Sequence, residues 1–248
     1  MQIVVDNIEQ FATFFNVVYD MSSELLELQL FQDRMVCSLL DRTKTRFFHV
    51  VYDADFFDVY DIDDVSSVVV FVEDLHKLLK SVNKKDVLFL EVNDPYLVAK
   101  IESVNGNSRI FEFVLPTDFM ESPVPPHADF PVKFEVGVGD LETSVKDIGV
   151  IGSDLFTFNV GDDNLTITTS TEIATKYANI IPISLENLEN VSASFTLDYV
   201  EQMLKFKKIS KTVELKIGQD LPIFYEFNDE IMGVKVIGMI APRISEEE

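Results

Sequence analysis

The residues that most often carry catalysis are few and widely separated in this chain. The histidines are His49, His76 and His127, and the only cysteine is Cys37. They assemble into neither a Ser/His/Asp nor a Cys/His arrangement. The glycine-containing residues 136–139 lack the Lys-Ser/Thr pair that follows a phosphate loop. The sequence therefore predicts no catalytic residues, no cofactor and no metal site.

An acidic run at residues 53–64 is the candidate for a cation site. Its aspartates are Asp53, Asp55, Asp58, Asp61, Asp63 and Asp64. The run lacks the glycine and the terminal glutamate of an EF-hand loop. We therefore favour the alternative, which is a solvated outer face.

Lysine is the residue type with a clear chemical use, because it binds phosphate groups. Nine of the 20 basic residues lie on or beside three of the four predicted helices: Lys77, Lys80, Lys84, Lys85, Lys146, Lys205, Lys207, Lys208 and Lys211. Lysine without interleaved exposed aromatic residues suits phosphate contact and not base readout. Solubility of the exposed helix faces is the alternative that the residues alone leave open.

Four amphipathic helices are expected to position these lysines. Apolar residues recur at helical spacing in residues 8–18, 71–82, 141–148 and 199–204. The first helix offers no lysine opposite its apolar stripe. The third, which we expect to be short, offers only Lys146.

Alternating apolar residues predict strands around these helices. In the first half the predicted strands cover residues 25–40 with a turn at 32–34, then 47–52, 87–92, 96–103 and 108–115. In the second half they cover residues 155–160, 165–169, 176–183, 212–217, 223–228 and 234–240. Asn105-Gly106 and residues 161–164 are predicted turns. The fold class is therefore α+β.

A proline-rich strap at residues 116–131 divides the chain. It holds five of the nine prolines and no glycine, so it should be extended and stiff. The halves on either side resemble each other: FVEDLHKLLKSVNKKDVLFLEV at Phe71 is similar to FTLDYVEQMLKFKKISKTVELKI at Phe195. This internal repeat predicts two related domains, residues 1–115 and 132–248, joined by a loop at 116–131.

Composition limits the setting of the protein. The formal net charge of −23 argues against a general nucleic-acid or membrane coat, so any DNA-binding lysines must be segregated onto one surface. An apolar run of 18 residues and a signal peptide are both missing from the sequence. A single cysteine indicates a reducing compartment, the cytosol or nucleus.

Several segments together resemble the proliferating cell nuclear antigen (PCNA) family of archaeal and eukaryotic DNA sliding clamps. They are LLDRTKTRFFHV at residues 39–50, ADFFDVYDID at 54–63, DLPIFYEFNDEIMGVKVIGMIAP at 220–242 and the tail GMIAPRISEEE. The similarity runs from end to end. It implies a DNA-clamp fold of two duplicated domains, with three subunits closing a ring around duplex DNA. Helices line the hole of such a ring and sheets form its outer wall.

The resemblance implies three sets of functional residues. The nine lysines would face DNA. Partners with a PIP-box peptide, including DNA polymerase and the clamp loader, would dock on Leu40, Thr45, Phe47, Val124, Pro125, Pro222, Met239, Ala241, Pro242, Arg243 and Ile244. Subunits would pair edge strands at residues 109–115 and 175–183, using Arg109, Ile110, Phe113, Tyr177, Ile180 and Ile181.

The resemblance also fixes the functional expectation and its rivals. We expect a polymerase processivity factor that forms a homotrimer and acts in replication and repair without contacting a membrane. The expected location is the cytoplasm or nucleoid of an archaeal or viral system, or the nucleus of a eukaryote. One rival is a subunit of a heteromeric ring, and another is an acidic peptide-binding adaptor without DNA. The first helix departs from the family, because Glu9 and Asp20 stand where lysines are usual.

Overall fold

A computed structural model describes residues 1–21, 23–117, 122–161 and 164–244. The chain forms two compact units. The first comprises Met1–Arg42, His49–Val124 and Asp229–Val236, and the second comprises Thr43–Phe48, Pro125–Asn228 and the remaining C-terminal residues. Both units therefore draw on more than one segment of the chain. The predicted boundaries at residues 115 and 132 stay a prediction.

The first unit contains two helices and most of the first eleven elements. Those elements are β1 (Gln2–Val5), α1 (Ile8–Asp20), β2 (Leu25–Leu30), β3 (Arg34–Leu40), β4 (Arg46–Asp53), β5 (Val59–Asp61), β6 (Ser66–Phe71), α2 (Val72–Ser81), β7 (Val87–Asn93), β8 (Tyr96–Glu102) and β9 (Ser108–Val114). One sheet has the antiparallel order β5-β1-β7-β8-β9, and other strands lie side by side in the order β4-β3-β2-β6.

Aromatic side chains fill the core of the first unit. Phe11 of α1 lies 4.8 Å from Phe15 and 5.5 Å from Tyr52, measured between ring centroids. Phe56 packs on Tyr52 with a centroid separation of 4.7 Å. These rings are buried. Their contacts hold the apolar face of α1 against β4. The helices α1 and α2 also pack against each other.

The second unit repeats the order of the first. Its elements are β10 (Val132–Gly137), α3 (Val138–Ile151), β11 (Leu155–Val160), β12 (Leu165–Ser170), β13 (Thr175–Ile180), β14 (Ser184–Asn187), β15 (Val191–Thr196), α4 (Leu197–Leu204), β16 (Thr212–Ile217), β17 (Ile223–Asp229) and β18 (Val234–Ile240). The strand orders are β14-β10-β16-β17-β18 and β13-β12-β11-β15. Each half thus runs strand, helix, five strands, helix and three strands.

Local sequence explains where several elements begin and end. The side chain of Asn7 accepts a hydrogen bond from the Gln10 backbone N–H at 3.4 Å and caps α1. Gly152, with φ 69°, ends α3 in the left-handed conformation. Gly106, with φ 84°, turns the predicted hairpin between β8 and β9. The predicted turn at 161–164 includes residues 162 and 163, which lie outside the described part.

The four predicted helices and all the predicted strands are present, with corrected bounds. Phe71 is the last residue of β6 and not part of α2. The third helix has 14 residues and is not short. Arg34 begins β3 and is not in the turn. The strand expected at 176–183 ends at Ile180, shortly before Pro182, which has no N–H for the sheet.

Six of the described strands were not predicted from the alternation of apolar residues: β1, β5, β6, β10, β14 and β15. Three of them run directly into a helix, since β6 ends at Phe71, one residue before α2 begins. β10 and β15 join α3 and α4 in the same way. In these places the two-residue period of a strand passes into the longer period of a helix without a turn between them. The apolar residues of the strand are then counted as part of the helical pattern, and the strand is missed.

Candidate functional site

The exposed lysines of the first unit follow the outer face of α2. Leu75, Leu78 and Leu79 are buried beneath this helix. Lys77 and Lys80 are exposed on its opposite side, and Lys84 and Lys85 are exposed just beyond its end. The amphipathic pattern of α2 therefore places the ammonium groups of Lys77 and Lys80 in solvent, as the sequence predicts.

Two of these lysines are paired with carboxylates. Lys77 Nζ lies 2.6 Å from Glu73 Oε1, one helical turn away. This hydrogen bond and charge raise the pKa of Lys77, and Lys77 lowers the pKa of Glu73. Lys84 forms an ion pair with Glu9 near the start of α1. Both pairs are solvent-accessible, so mobile ions screen them.

The second unit presents its lysines in a similar place. Lys146 is exposed on α3, opposite the buried Leu141, Val145 and Ile148. The exposed residues Lys205, Lys207 and Lys208 belong to a 3-10 turn, Lys205–Lys208, that follows α4. Of the lysines predicted on or beside the fourth helix, Lys205 and Lys208 therefore lie in the turn that follows the helix and not on the helix itself. Lys211 is exposed just before β16.

Ion pairs also occupy basic residues in this unit. Lys207 Nζ lies 2.5 Å from Glu142 Oε1 of α3. Lys176 of β13 pairs with Asp147 on the same helix. Lys207 was among the predicted lysines and Lys176 was not. Neither pairing was predicted, because the partners are 65 and 29 residues away in the chain. The Glu73–Lys77 pair does carry a sequence signal, because its residues are four apart on one helix.

The C-terminal segment is hydrogen-bonded within the second unit. The Ala241 N–H donates to the Thr45 carbonyl oxygen at 2.8 Å, and the Arg243 N–H donates to the Ser194 carbonyl oxygen at 2.7 Å. The Arg46 guanidinium lies 4.5 Å from the Tyr199 ring centroid. Thr45 and Ala241, both predicted to contact partner peptides, are therefore neighbours.

The other residues predicted to bind peptides differ in exposure. Within the second unit Phe47 and Met239 are buried, Pro222 and Pro242 are half-buried, and Pro125, Arg243 and Ile244 are exposed. Because Phe47 and Met239 are buried, they can pack beneath a peptide-binding surface, but they are not open to direct contact with a peptide. Leu40 and Val124 belong to the first unit, where Val124 is 80% exposed and Leu40 40%. Residues 245–248 lie outside the described part.

The strap contains neither helix nor strand in its described residues, 116–117 and 122–131. Its Ser122 hydroxyl donates to Glu27 Oε2 on β2 at 2.5 Å. Gln29 Nε2 donates to the same oxygen at 3.2 Å. Since Glu27 is buried, these hydrogen bonds compensate its loss of hydration and fix the strap to the first unit. Residues 118–121 of the strap are outside the described residues.

The two strands predicted to join subunits are edge strands. β9 ends the sheet order of the first unit, with Ile110 and Val114 exposed and Phe113 half-buried. Arg109 at its start donates to the Ser81 carbonyl oxygen of α2 at 2.9 Å. Each such edge carries unpaired backbone groups that can extend a sheet.

The second unit offers a comparable edge. β13 ends its sheet order, with Tyr177 and the following Ile181 exposed and Ile180 buried. Asp140, Thr143 and Asp147 of α3 line a cavity of about 280 Å³ beside this strand. Buried Ile180 therefore belongs to the core, and Tyr177 and Ile181 are the residues open to a partner.

The acidic residues form separate features. All six aspartates of the run at 53–64 are exposed. Within the described residues, groups of three or more His, Cys, Asp or Glu suited to holding a metal ion are absent.

A cavity of about 820 Å³ in the first unit is lined by Asp20, Glu24, Glu73 and Asp74 beside Tyr19 and Phe71. Its charge disfavours phosphate binding. None of the described helices is long and apolar enough to cross a membrane.

Comparison with solved structures defines the fold as the DNA-clamp fold. The structure of a PCNA2–PCNA3 complex from Sulfolobus tokodaii superposes with a TM-score of 0.86, at 22% identity, covering 98% of this chain and 99% of that chain. PCNA from Thermococcus kodakaraensis superposes with a TM-score of 0.87, at 18% identity and the same coverage.

Sequence comparison then finds relatives that are named sliding clamps. Residues 156–243 match the family described as proliferating cell nuclear antigen, C-terminal domain. A DNA polymerase sliding clamp of Methanothermobacter thermautotrophicus is 28% identical over 95% of both chains. DNA polymerase sliding clamp 3 of Sulfurisphaera tokodaii is 24% identical over 92% of this chain and 94% of its own. The resemblance to the PCNA family of DNA sliding clamps is confirmed.

Proposed function

We propose that this protein is a DNA sliding clamp: a non-enzymatic processivity factor that encircles duplex DNA and holds polymerases on it. The observation that carries the proposal is the exposure of all nine predicted lysines on or beside α2, α3 and α4. The DNA-clamp fold and the relatives named sliding clamps support it. Lysines of this kind contact phosphates without reading sequence, as sliding requires.

Topological retention tests this proposal. Loaded protein should stay on closed circular DNA and leave when the circle is cut, because a linear duplex lets a ring slide off its ends. Lysozyme, a small protein that binds DNA only by charge, is the control that should respond equally to both forms. Equal loss from circular and linear DNA would contradict the proposal and favour the acidic adaptor without DNA.

Charge reversal on the helices tests the DNA-facing surface. We expect Lys77, Lys80, Lys146, Lys205 and Lys208, all changed to Glu, to reduce processivity strongly without unfolding the protein. Each lysine contributes a screened contact of about 1 kcal/mol or less, so the effect accumulates over several. Processivity assays and thermal melting measure the two outcomes. Unchanged processivity would place DNA on another surface.

The assembly that we propose is a homotrimer. Two exposed edges support it: β9 with Ile110 in the first unit and β13 with Tyr177 in the second. When one edge of each subunit pairs with the other edge of its neighbour, the subunits form a ring if the rotation from one subunit to the next adds up to a full turn. A heteromeric ring is the second candidate, because one of the solved structures similar to this chain is a PCNA2–PCNA3 complex.

Partner recruitment is the remaining part of the proposal. We propose that PIP-box peptides of polymerases, the clamp loader and repair proteins bind the predicted residues of the strap and tail. The support is the exposed Val124-Pro125 segment and the ordered contact between Ala241 and Thr45. An extended segment beside apolar residues suits a peptide that adds backbone hydrogen bonds and one anchor side chain.

A further inference from the structure

In each unit an ion pair joins a glutamate of the first helix to a lysine just beyond the end of the second helix. In the first unit Glu9, the second residue of α1, binds Lys84. In the second unit Glu142 of α3 binds Lys207 at 2.5 Å. Lys84 lies three residues beyond Ser81, where α2 ends, and Lys207 lies three residues beyond Leu204, where α4 ends. The two pairs are similar but not equivalent, because Glu9 is the second residue of α1 and Glu142 is the fifth residue of α3.

These pairs use lysines that the DNA-binding proposal requires. The side chain of Lys84 is 76% exposed and that of Lys207 is 50% exposed, so both ammonium groups are open to solvent. Their carboxylate partners are less exposed, at 35% for Glu9 and 27% for Glu142. The glutamates are thus held on the helices while the flexible lysines reach to them.

A carboxylate and a phosphate are alternative ligands for the same ammonium group. A free lysine that meets DNA releases a counterion from the phosphate chain, which drives binding. A lysine already paired with glutamate must first give up that partner, so exchange of carboxylate for phosphate yields little net gain. The pairing leaves the lysine charged but reduces its contribution to DNA affinity.

We propose that Glu9 and Glu142 compete with DNA phosphates for Lys84 and Lys207 and thereby keep the hold of the clamp on DNA weak. This inference rests on the proposed function. It assigns the two glutamates a positioning role: they direct two lysines away from DNA in every subunit. Weak contact suits a ring that is retained by topology and must move along the duplex.

The test compares the double variant Glu9→Gln/Glu142→Gln with wild type in equilibrium binding to a short duplex by fluorescence anisotropy. Affinity at low salt should rise several-fold. The plot of log affinity against log salt should steepen by about 0.9 for each lysine that gains a phosphate. Glu230→Gln/Glu189→Gln is the matched control, since it removes the same charge at exposed positions, one in each unit and outside the helices.

Two outcomes overturn the inference. A double variant whose salt dependence equals that of the control shows that only net charge matters. A gain that survives the further changes Lys84→Gln and Lys207→Gln shows that other groups bind the phosphates. Retention of wild type on circular DNA separates these outcomes from failure of the proposed function. If wild type is retained while the double variant matches its control, the clamp stands and the competition does not.

Discussion

His76 of α2 illustrates a buried polar residue that the fold tolerates without hydrogen bonds. Its ring stacks flat on Tyr19, with centroids 3.8 Å apart and planes 1° from parallel. Neither ring nitrogen has a hydrogen-bond partner among the described residues. Burial first, and then the charge of Lys80, lower the pKa of His76, while Asp20 acts in the opposite direction. The neutral ring is therefore the form that the folded protein favours.

Acidification should destabilise the protein through this residue. Because the pKa of His76 is lowered on folding, the unfolded chain binds more protons as the pH falls. The stability is fully present above the ordinary histidine pKa of 6.5 and decreases as the pH falls through 6.5 toward the lower folded value. Carboxylates whose pKa folding lowers, such as Glu73, respond only nearer pH 4.5 and below.

The variant His76→Phe tests this expectation. Phenylalanine keeps the stacking on Tyr19 and removes the unpaired nitrogens, so it should be more stable by about 1 kcal/mol at pH 5. Urea unfolding at pH 7 and pH 5 measures the change. Part of the pH dependence should remain, because burial and Lys235 also lower the pKa of His49. A variant with the full wild-type loss between pH 7 and pH 5 would exclude His76 as a cause.

The edge strands are the elements on which assembly should depend. Tyr177 of β13 is 74% exposed at the middle of its strand. We expect Tyr177→Arg to weaken subunit association by about 2 kcal/mol or more, since it places a charge where an aromatic contact would be buried. Sedimentation velocity over a dilution series measures this. Ile231→Arg, at a turn residue 95% exposed, is the control that should assemble normally. Equal behaviour of both variants would remove β13 from the interface.

The C-terminal tail after Ile240 is the second element whose change should have a measurable effect, in this case on peptide binding. Removal of the chain after Ile240 deletes Ala241 and its hydrogen bond to the Thr45 carbonyl oxygen. We expect this truncation to abolish PIP-box peptide binding in calorimetry, as should Leu40→Asp, because each spoils the receiving surface. Light scattering should show assembly unchanged. Wild-type affinity in the truncated protein would show that the tail is not part of the site.

The sequence predicted these elements unequally, for physical reasons. β16 and β18 were located to the residue, because turns isolate each alternating run. β6 was missed because it passes into α2 at Phe71 without a turn. The lysines of the candidate site were visible as residue types on helical faces. The pairing of Lys84 with Glu9 was not, because contacts distant in sequence depend on tertiary packing.

At the scale of the whole molecule, strong negative charge must coexist with assembly. The chain carries a net charge of −23, and identical subunits repel one another at low salt. We expect a particle of about three times 28.2 kDa in light scattering, more resistant to dilution at 0.5 M than at 0.05 M salt because screening relieves the repulsion. A protein that remains monomeric at micromolar concentration in both salts, but associates with a second clamp-like chain, would favour the heteromeric ring.

Each unit contains a segment from the other half of the chain, and this has a consequence for cutting the chain into two fragments. Residues Asp229–Val236 belong to the first unit, where the Asp53 N–H donates to the Gly233 carbonyl oxygen at 2.8 Å. Thr43–Phe48 belong to the second unit, where Thr45 accepts from Ala241. A cut within the strap would therefore leave each fragment short of a piece that it needs. The two halves have the same order of elements, but each would lack a segment that its unit contains. We therefore expect the two fragments to be recovered as soluble protein only when they are produced together.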